Sequence, residues 1–475
     1  MSYFSRFLKR LNPDEQKLNN LVNASIAGSF YNLLARFIEF IVKKAGINSD
    51  IIKNLDNIYF VLLTILIFII PFAKTGFLGF FAGLLIIISI VNSFFTHKKF
   101  HFSSIHVPVC IYLALLLVSV GFSSLFWPSL KGFAKMLIYI GAFFSFFEFL
   151  KKNPHKIFKI IIAVALSCCI ELLFALKQML FGVDALALWQ DMTNINSEHI
   201  MNRVFGTLKP FNPNLFAAYL LACAPCVFVS AFYCFLKSKK RLGFAFLGFA
   251  FLTLFTIVQT GCRGAYIGMF LGSVLFGFLS FFMFKDYFAQ YKNLKKVLTV
   301  SILCVVIAVI VAVLVSPAIS HRLESIFTLR GDSSNSYRMN VYISSFKIFL
   351  DNFWIGIGPG NTTYRLIYGL YMVTGFDALG AYNIYLEMAV ESGFLAPIIF
   401  LWMIVLAFGK SLKNLFNYSL KYKLVVIACL SAIFAMLMHG FFDTIWYRPQ
   451  LQLIFWLYMA ILAVFTMKEF ADGQK

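Results

Sequence analysis

The stretch QTGCRGAYIGMFLG, Gln259 to Gly272, sets one arginine between two glycines with long apolar runs on either side. A guanidinium at the centre of a bilayer costs about 3 kcal/mol even on the lower scales, so Arg263 must reach water, a partner or a ligand. The runs flanking it, 241–260 and 264–283, each have about the length of a helix that crosses a bilayer. The arginine therefore marks a turn between two spans.

The rest of the chain repeats this pattern. Its 475 residues are 61% hydrophobic, 18% aromatic and 13% charged, and the apolar residues come in blocks of similar length. No long polar stretch could hold a second hydrophobic core. The expected fold is all-α, a polytopic integral membrane protein. A β-barrel would show short alternating strands instead. Twelve spans are predicted, over 57–73, 75–96, 105–126, 130–150, 157–182, 212–236, 241–260, 264–283, 296–316, 384–408, 424–440 and 450–467. The segment 21–46 is apolar but carries Arg36 and Glu39 and ends in Lys43 and Lys44, so it reads as an amphipathic helix at the interface. The expected organisation is a cytoplasmic segment 1–56, a membrane domain 57–467 with a large outer loop at 317–383, and a cytoplasmic tail 468–475. The N-terminus lacks the pattern of a cleavable signal peptide.

Twelve spans put both termini on one side, and 28 of the 41 basic residues then fall on that side. By the positive-inside rule both termini are expected in the cytoplasm, with the chain in the inner membrane. The net charge of +21 is explained by topology and attraction to membrane lipids, with no need of nucleic acid. Eight of the nine cysteines lie in apolar runs, including the CxxC of Cys223 and Cys226, and read as packing residues; Cys262 falls in a loop.

Arginine breaks the symmetry. Of eleven, only Arg6, Arg10, Arg36 and Arg241 are on the cytoplasmic side, while Arg203, Arg263, Arg322, Arg330, Arg338, Arg365 and Arg448 fall outside. Topogenesis needs only positive charge, whereas a planar fork of donors recognises a phosphate or carboxylate through two bonds. The outer face thus carries candidate anion-binding residues.

In the long outer loop Met339, Tyr342, Phe346 and Phe349 follow helical spacing, with Ser334 or Ser336 placed to cap the start. A helix lying on the membrane surface is predicted, with Arg338 in its first turn. Gly356, Gly358 and Gly360 around Pro359 have no βαβ context and read as a tight turn. Glu387 and Glu391, four apart, share a face of the helix opening near Ile384. HGFFDTIWYRPQ, 439–450, brings His439, Asp443, Tyr447 and Arg448 onto one short outer loop. No His/Cys/Asp cluster stands at metal spacing and there is no serine nucleophile elbow, so a site without metal or other cofactor is expected.

These residues together resemble a family. QTGCRGAYIGMFLG is similar to the S-R-G signature of the O-antigen ligase and polymerase superfamily, and SNSYRMNVYISSF, IGIGPGN and AYNIYLEMAVESGFLAP follow in that family's order. FGTLKPFNPNLFAAYLL and HGFFDTIWYRPQLQLIFWL bring the likeness nearest to a branch labelled bicarbonate transporters. The resemblance spans roughly 200–460. It implies a metal-independent glycosyltransferase that takes a glycan from an undecaprenyl-diphosphate-linked donor and passes it to an acceptor on the outer face. The resemblance carries diphosphate binding to Arg263 and Arg338, and Arg365 and Arg448 are further outer arginines for the same role. Where the family has a histidine–asparagine pair that assists the acceptor, this chain has Tyr382–Asn383, and a phenol near its usual pKa of about 10 is a poor base at neutral pH. His439 and Glu387 are then the candidates for the proton transfer, with Tyr382 bonding or stacking. The alternative is a bicarbonate or inorganic carbon transporter of the same superfamily. A third reading is a non-catalytic glycan-binding component. A small anion needs fewer than seven arginines, and the charged residues at mid-span are few: Glu171, Lys177 and Glu391. Glycosyl transfer is the favoured reading.

Overall fold

The computed structural model describes residues 10–25, 49–96, 102–182, 203–290, 333–444 and 447–467, with a few isolated residues between 28 and 44 and between 320 and 324. All regular structure among them is helical, with no strand. Eight helices are long and apolar enough to cross a membrane: Thr75–Phe94, Phe126–Lys152, Pro154–Phe181, Pro213–Leu236, Lys240–Gln259, Arg263–Phe284, Leu395–Asn417 and Leu420–His439. Three shorter apolar helices, Asn54–Ile69, His106–Phe122 and Pro449–Phe465, coincide with three more of the predicted spans. The predicted span 296–316 and most of the amphipathic segment 21–46 lie outside the described residues.

One predicted span needs correction. The stretch 384–408 is not one helix, because Ile384–Ser392 ends at Gly393, which has φ +77°, and a new helix begins at Leu395. The break is fixed by tertiary bonds: Phe394 N–H donates to Phe353 O at 3.0 Å, and a Cβ on Gly393 would run into the Trp354 carbonyl. Glu387 and Glu391 therefore sit on a short helix outside the membrane-crossing segment. The glycine-rich turn, as expected, folds back tightly. Its Ile357 and Gly358 amides donate to the Val390 and Glu391 carbonyls at 2.9 and 3.0 Å, and Pro359 rests on Gly132, where any side chain would strike it.

The helices that carry the site are named in chain order. We call Pro213–Leu236 α1, Lys240–Gln259 α2, Arg263–Gln290 α3, Ser333–Asp351 α4, Asn361–Tyr368 α5, Ile384–Ser392 α6, Leu420–His439 α7 and Pro449–Phe465 α8. Every residue of α8 is buried, and α1 and α7 are buried along most of their length. These three form the centre of the bundle.

Lipid tails are as apolar as leucine, so helices in a membrane associate through close packing of small residues more than through hydrophobicity. α3 shows this on one face. Gly264, Gly268 and Gly272 recur every fourth residue and lie against α7, where added Cβ atoms would meet Phe442 Cβ at 2.9 Å, Ala435 O at 2.8 Å and Ala435 Cβ at 2.7 Å. The backbones touch, and this approach carries the start of α3 up against the end of α7.

Candidate functional site

At one end of the bundle the α2–α3 turn, the N-terminus of α1, the α7–α8 loop and α4 converge. The α2–α3 turn is closed by Gly261 at φ +63° and by Thr260 Oγ1, which donates to Ile257 O at 2.6 Å. It presents Cys262 and then Arg263, the first residue of α3.

A polar network ties these pieces together. Arg203 Nε donates to Thr260 O at 2.7 Å and its Nη2 to Asn214 Oδ1 at 2.5 Å. Asn214 Nδ2 donates to Asp443 Oδ2 at 2.6 Å. Arg338 Nη2 faces the same Asp443 oxygen at 3.9 Å, while its Nε donates to Phe442 O at 3.1 Å and its Nη1 to Ser334 Oγ at 2.6 Å. Asp443 also helps to hold Arg448, the residue preceding α8, in its charged form against burial. One buried carboxylate thus gathers arginines that would otherwise repel each other. Gly264, next to Arg263, packs on Phe442, and Arg338 bonds the carbonyl of that residue, so the start of α3 and Arg338 reach the same turn although Arg263 and Arg338 are 75 residues apart in sequence.

Arg338 does not lie where the helix dipole would reach it. It is the sixth residue of α4 from Ser333 rather than in the first turn, although its Nη1 reaches back to Ser334. Besides the network it faces Tyr382, whose ring centroid is 5.7 Å from the guanidinium carbon. Tyr382 has φ +51°, and its carbonyl accepts from Tyr342 Oη at 3.1 Å, which also reaches Phe441 O at 3.3 Å. Burial, followed by the neighbouring Tyr337, raises the phenol well above its ordinary value. The ring therefore stacks and does not ionise near neutrality. Tyr382→Phe keeps that face and is expected to cost no more than a few-fold in activity, against a larger loss for Tyr382→Ala, since a cation–π contact contributes about 0.5–2 kcal/mol. Equal losses in an activity assay would contradict the stacking role.

Arg365 is apart from the network. It forms a two-point ion pair with Asp377, at 2.6 and 3.3 Å, on an exposed groove of about 450 Å³ that α5 lines with Asn361, Thr362 and Leu366.

His439 is fully buried at the end of α7, with Nε2 3.4 Å from Cys262 Sγ and no hydrogen-bond partner at Nδ1 among the described residues. Burial pushes the Cys262 thiol up, but His439 beside it outweighs that and leaves the thiol below its usual value. Cys262, His439 and Asp443 offer ligand atoms within 4.8 Å of one another. The sequence reading found no such cluster because the cysteine is 177 residues from the histidine and only the α3–α7 contact joins them.

Glu387 and Glu391 form a second buried layer. Glu387 Oε2 accepts from Thr444 Oγ1 and from Ala381 N, while Oε1 has no partner among the described residues. Glu391 Oε1 accepts from Tyr447 Oη at 2.5 Å and Gly360 N at 2.6 Å. Burial, and then the adjacent Glu391, hold Glu387 well above the carboxylate range, and burial raises Glu391 to about 7. The folded protein keeps this proton up to about 7, whereas an unfolded chain releases it near 4.5. Stability present in acid is therefore lost as pH rises through that window. Thermal unfolding in detergent is expected at a lower temperature at neutral pH than at pH ~5. Glu391→Gln, which can still accept both bonds, should weaken that dependence; an unchanged slope would contradict it.

Glu171 has a different task. It is fully buried on the helix Ile157–Phe181 and accepts from Thr207 N and Thr207 Oγ1 at 2.5 and 2.7 Å, pinning the loop that enters α1.

The network straddles a stretch that other proteins share. Residues 247–401 match the family model described as O-Antigen ligase. The match supports the O-antigen ligase superfamily, and with the apolar helices it makes this a multi-pass membrane protein. It gives no support to the bicarbonate-transporter branch. The O-antigen ligase match includes Arg263, Arg338, Arg365, Tyr382 and Glu387, and it ends before His439, Asp443 and Arg448. No curated protein matches the chain. Arg203, Asn214 and Asp443 also build the site, and the sequence reading did not assign them to it. Only the unusual share of arginine on one face pointed to Arg203.

Proposed function

We propose that the chain transfers a glycan from an undecaprenyl-diphosphate-linked donor to an acceptor, on the outer face of the cytoplasmic membrane, with both termini in the cytoplasm. The observation that carries this reading is the meeting of the Arg263 turn and Arg338 on Phe442, with Arg203 and Arg448 drawn in by Asp443, inside and beside the region that matches the O-antigen ligase model. Cleaving a sugar–diphosphate bond leaves charge on the departing diphosphate, and fixed guanidinium donors stabilise that charge without rearranging when it develops. Arg263 and Arg338 are the donors assigned to this role, with Arg448 beside them. Arg365, whose fork already serves Asp377, contributes at most to the rim.

The proton of the acceptor leaves through His439, or through Glu387 once that carboxyl has ionised, since burial and Glu391 favour its protonated form. Both are buried beside the loop 439–444, and the phenol of Tyr382 is held neutral. Against transport, both oxygens of the carboxylate Glu171 are engaged in pinning Thr207. In proteoliposomes holding the full chain, a lipid-linked oligosaccharide donor and an acceptor extract, undecaprenyl diphosphate is expected to be released at the rate at which glycan appears on the acceptor. Release without transfer, or neither, would remove the reading.

A further inference from the structure

We infer that Cys262, His439 and Asp443 form a binding site for a thiophilic divalent cation of the zinc type. The inference does not depend on glycosyl transfer, but an ion held on His439 Nε2 leaves the proton step of that reaction to Glu387.

The argument is geometric. A tetrahedral zinc ion binds thiolate at about 2.3 Å and imidazole at about 2.0–2.1 Å, which puts the sulfur and nitrogen about 3.5 Å apart. Cys262 Sγ and His439 Nε2 are 3.4 Å apart, and the Asp443 carboxylate completes a set whose ligand atoms all lie within 4.8 Å. Binding would draw the Asp443 carboxylate inward by roughly 1 Å. All three residues are buried, so the ion would be shielded from bulk water. Asp443 keeps capacity to coordinate: among the described residues Oδ1 accepts from the Thr444 amide alone, and Oδ2 accepts from Asn214 Nδ2 with Arg338 Nη2 3.9 Å away. Those bonds also orient the carboxylate as an outer shell of partners would.

The fold builds the set on rigid pieces. His439 is the last residue of α7 and Asp443 follows four residues on, in the turn where Phe442 N–H donates to His439 O at 2.9 Å. Cys262 is held by the α2–α3 turn, its amide donating to Thr260 Oγ1 at 3.3 Å. Gly264 admits the imidazole: a side chain there would meet His439 Cδ2 at 3.2 Å. One thiolate, one imidazole and one carboxylate select zinc over magnesium or calcium, which prefer all-oxygen shells. Two negative ligands balance the ion's charge. The fourth tetrahedral position is left for a water or another oxygen ligand.

The test uses the full chain in detergent and no glycan. After exposure to zinc sulfate and gel filtration, the protein should retain about one zinc per chain, and Cys262→Ser and His439→Ala should retain almost none. Cobalt in place of zinc should give a thiolate charge-transfer band that Cys262→Ser lacks. Should these variants fail to fold, the wild-type protein still decides the matter. Alkylation of Cys262, followed by mass spectrometry of its peptide, should be at least ~10-fold slower with zinc than after chelation. Equal alkylation in both conditions, or zinc retained equally by a folded Cys262→Ser, would overturn the site and leave Cys262 and His439 as a hydrogen-bonded pair. Glycan transfer unaffected by chelation leaves this outcome untouched, so the two readings fail separately.

Discussion

Replacing Arg263 by lysine is expected to lower glycan transfer almost as far as replacing it by alanine, each by about a hundredfold or more. Lysine keeps the charge but is a flexible point donor, whereas a diphosphate is held by a planar fork that offers two parallel N–H bonds. The position supports the distinction. Arg263 opens α3 directly after a turn fixed by Gly261 and Thr260, so its backbone is already placed and the fork needs little ordering. Transfer assayed with a lipid-linked donor, alongside thermal unfolding to show that both variants fold, checks this. A lysine variant near wild-type activity would sink the two-point contact.

The second large effect is on the fold. Gly268→Leu is expected to prevent stable assembly of the bundle, because a Cβ at Gly268 already lies 2.8 Å from the Ala435 carbonyl and 3.0 Å from Leu221 Cδ1, and the remaining leucine atoms have nowhere to go. Overpacking of this kind costs about 1–3 kcal/mol when neighbours can move, and more where the neighbour is backbone. Separating α3 from α7 would also part Cys262 from His439. The control is on the same helix: Gly277 has open space around it, and Gly277→Leu should be tolerated. Yield of monodisperse protein and unfolding temperature distinguish the two. Comparable behaviour of both variants would mean that the α3–α7 contact is not what organises this end of the molecule.

Much of the bundle was legible in the sequence because a span needs about twenty apolar residues, and that length is written in the chain. Ile384–Phe408 misled for the same reason. Its hydropathy is nearly continuous, but Gly393 and the bond from Phe394 to Phe353 end the helix, and a hydropathy window cannot see a break made by a partner forty residues away. The site was legible in part. Arg263 and Arg338 stood out as charges with no topological purpose, and Tyr382 as a ring that is a poor base; the structure bonds Arg338 to Phe442, sets the Tyr382 ring beside Arg338 and brings the glycine after Arg263 onto Phe442. Asn214 did not stand out, and Cys262 and Asp443 were noted only as loop residues, since none has a role until folding brings α1, the α2–α3 turn and the α7–α8 loop together. The first-turn placing of Arg338 failed because serines at 334 and 336 suggested a cap, while the helix had already begun by Ser333.

The central claim is that Arg263, with the arginines tied to Asp443 beside its turn, holds a lipid-linked diphosphate while its glycan is transferred. The most direct measurement is the surface glycan of cells lacking the gene, complemented with the wild-type chain or with Arg263→Ala. The account predicts that the deletion strips glycan from its acceptor while the lipid-linked donor accumulates, that the wild-type chain restores both, and that an equally expressed Arg263→Ala restores neither. Unchanged surface glycan and unchanged donor in the deletion strain would contradict it.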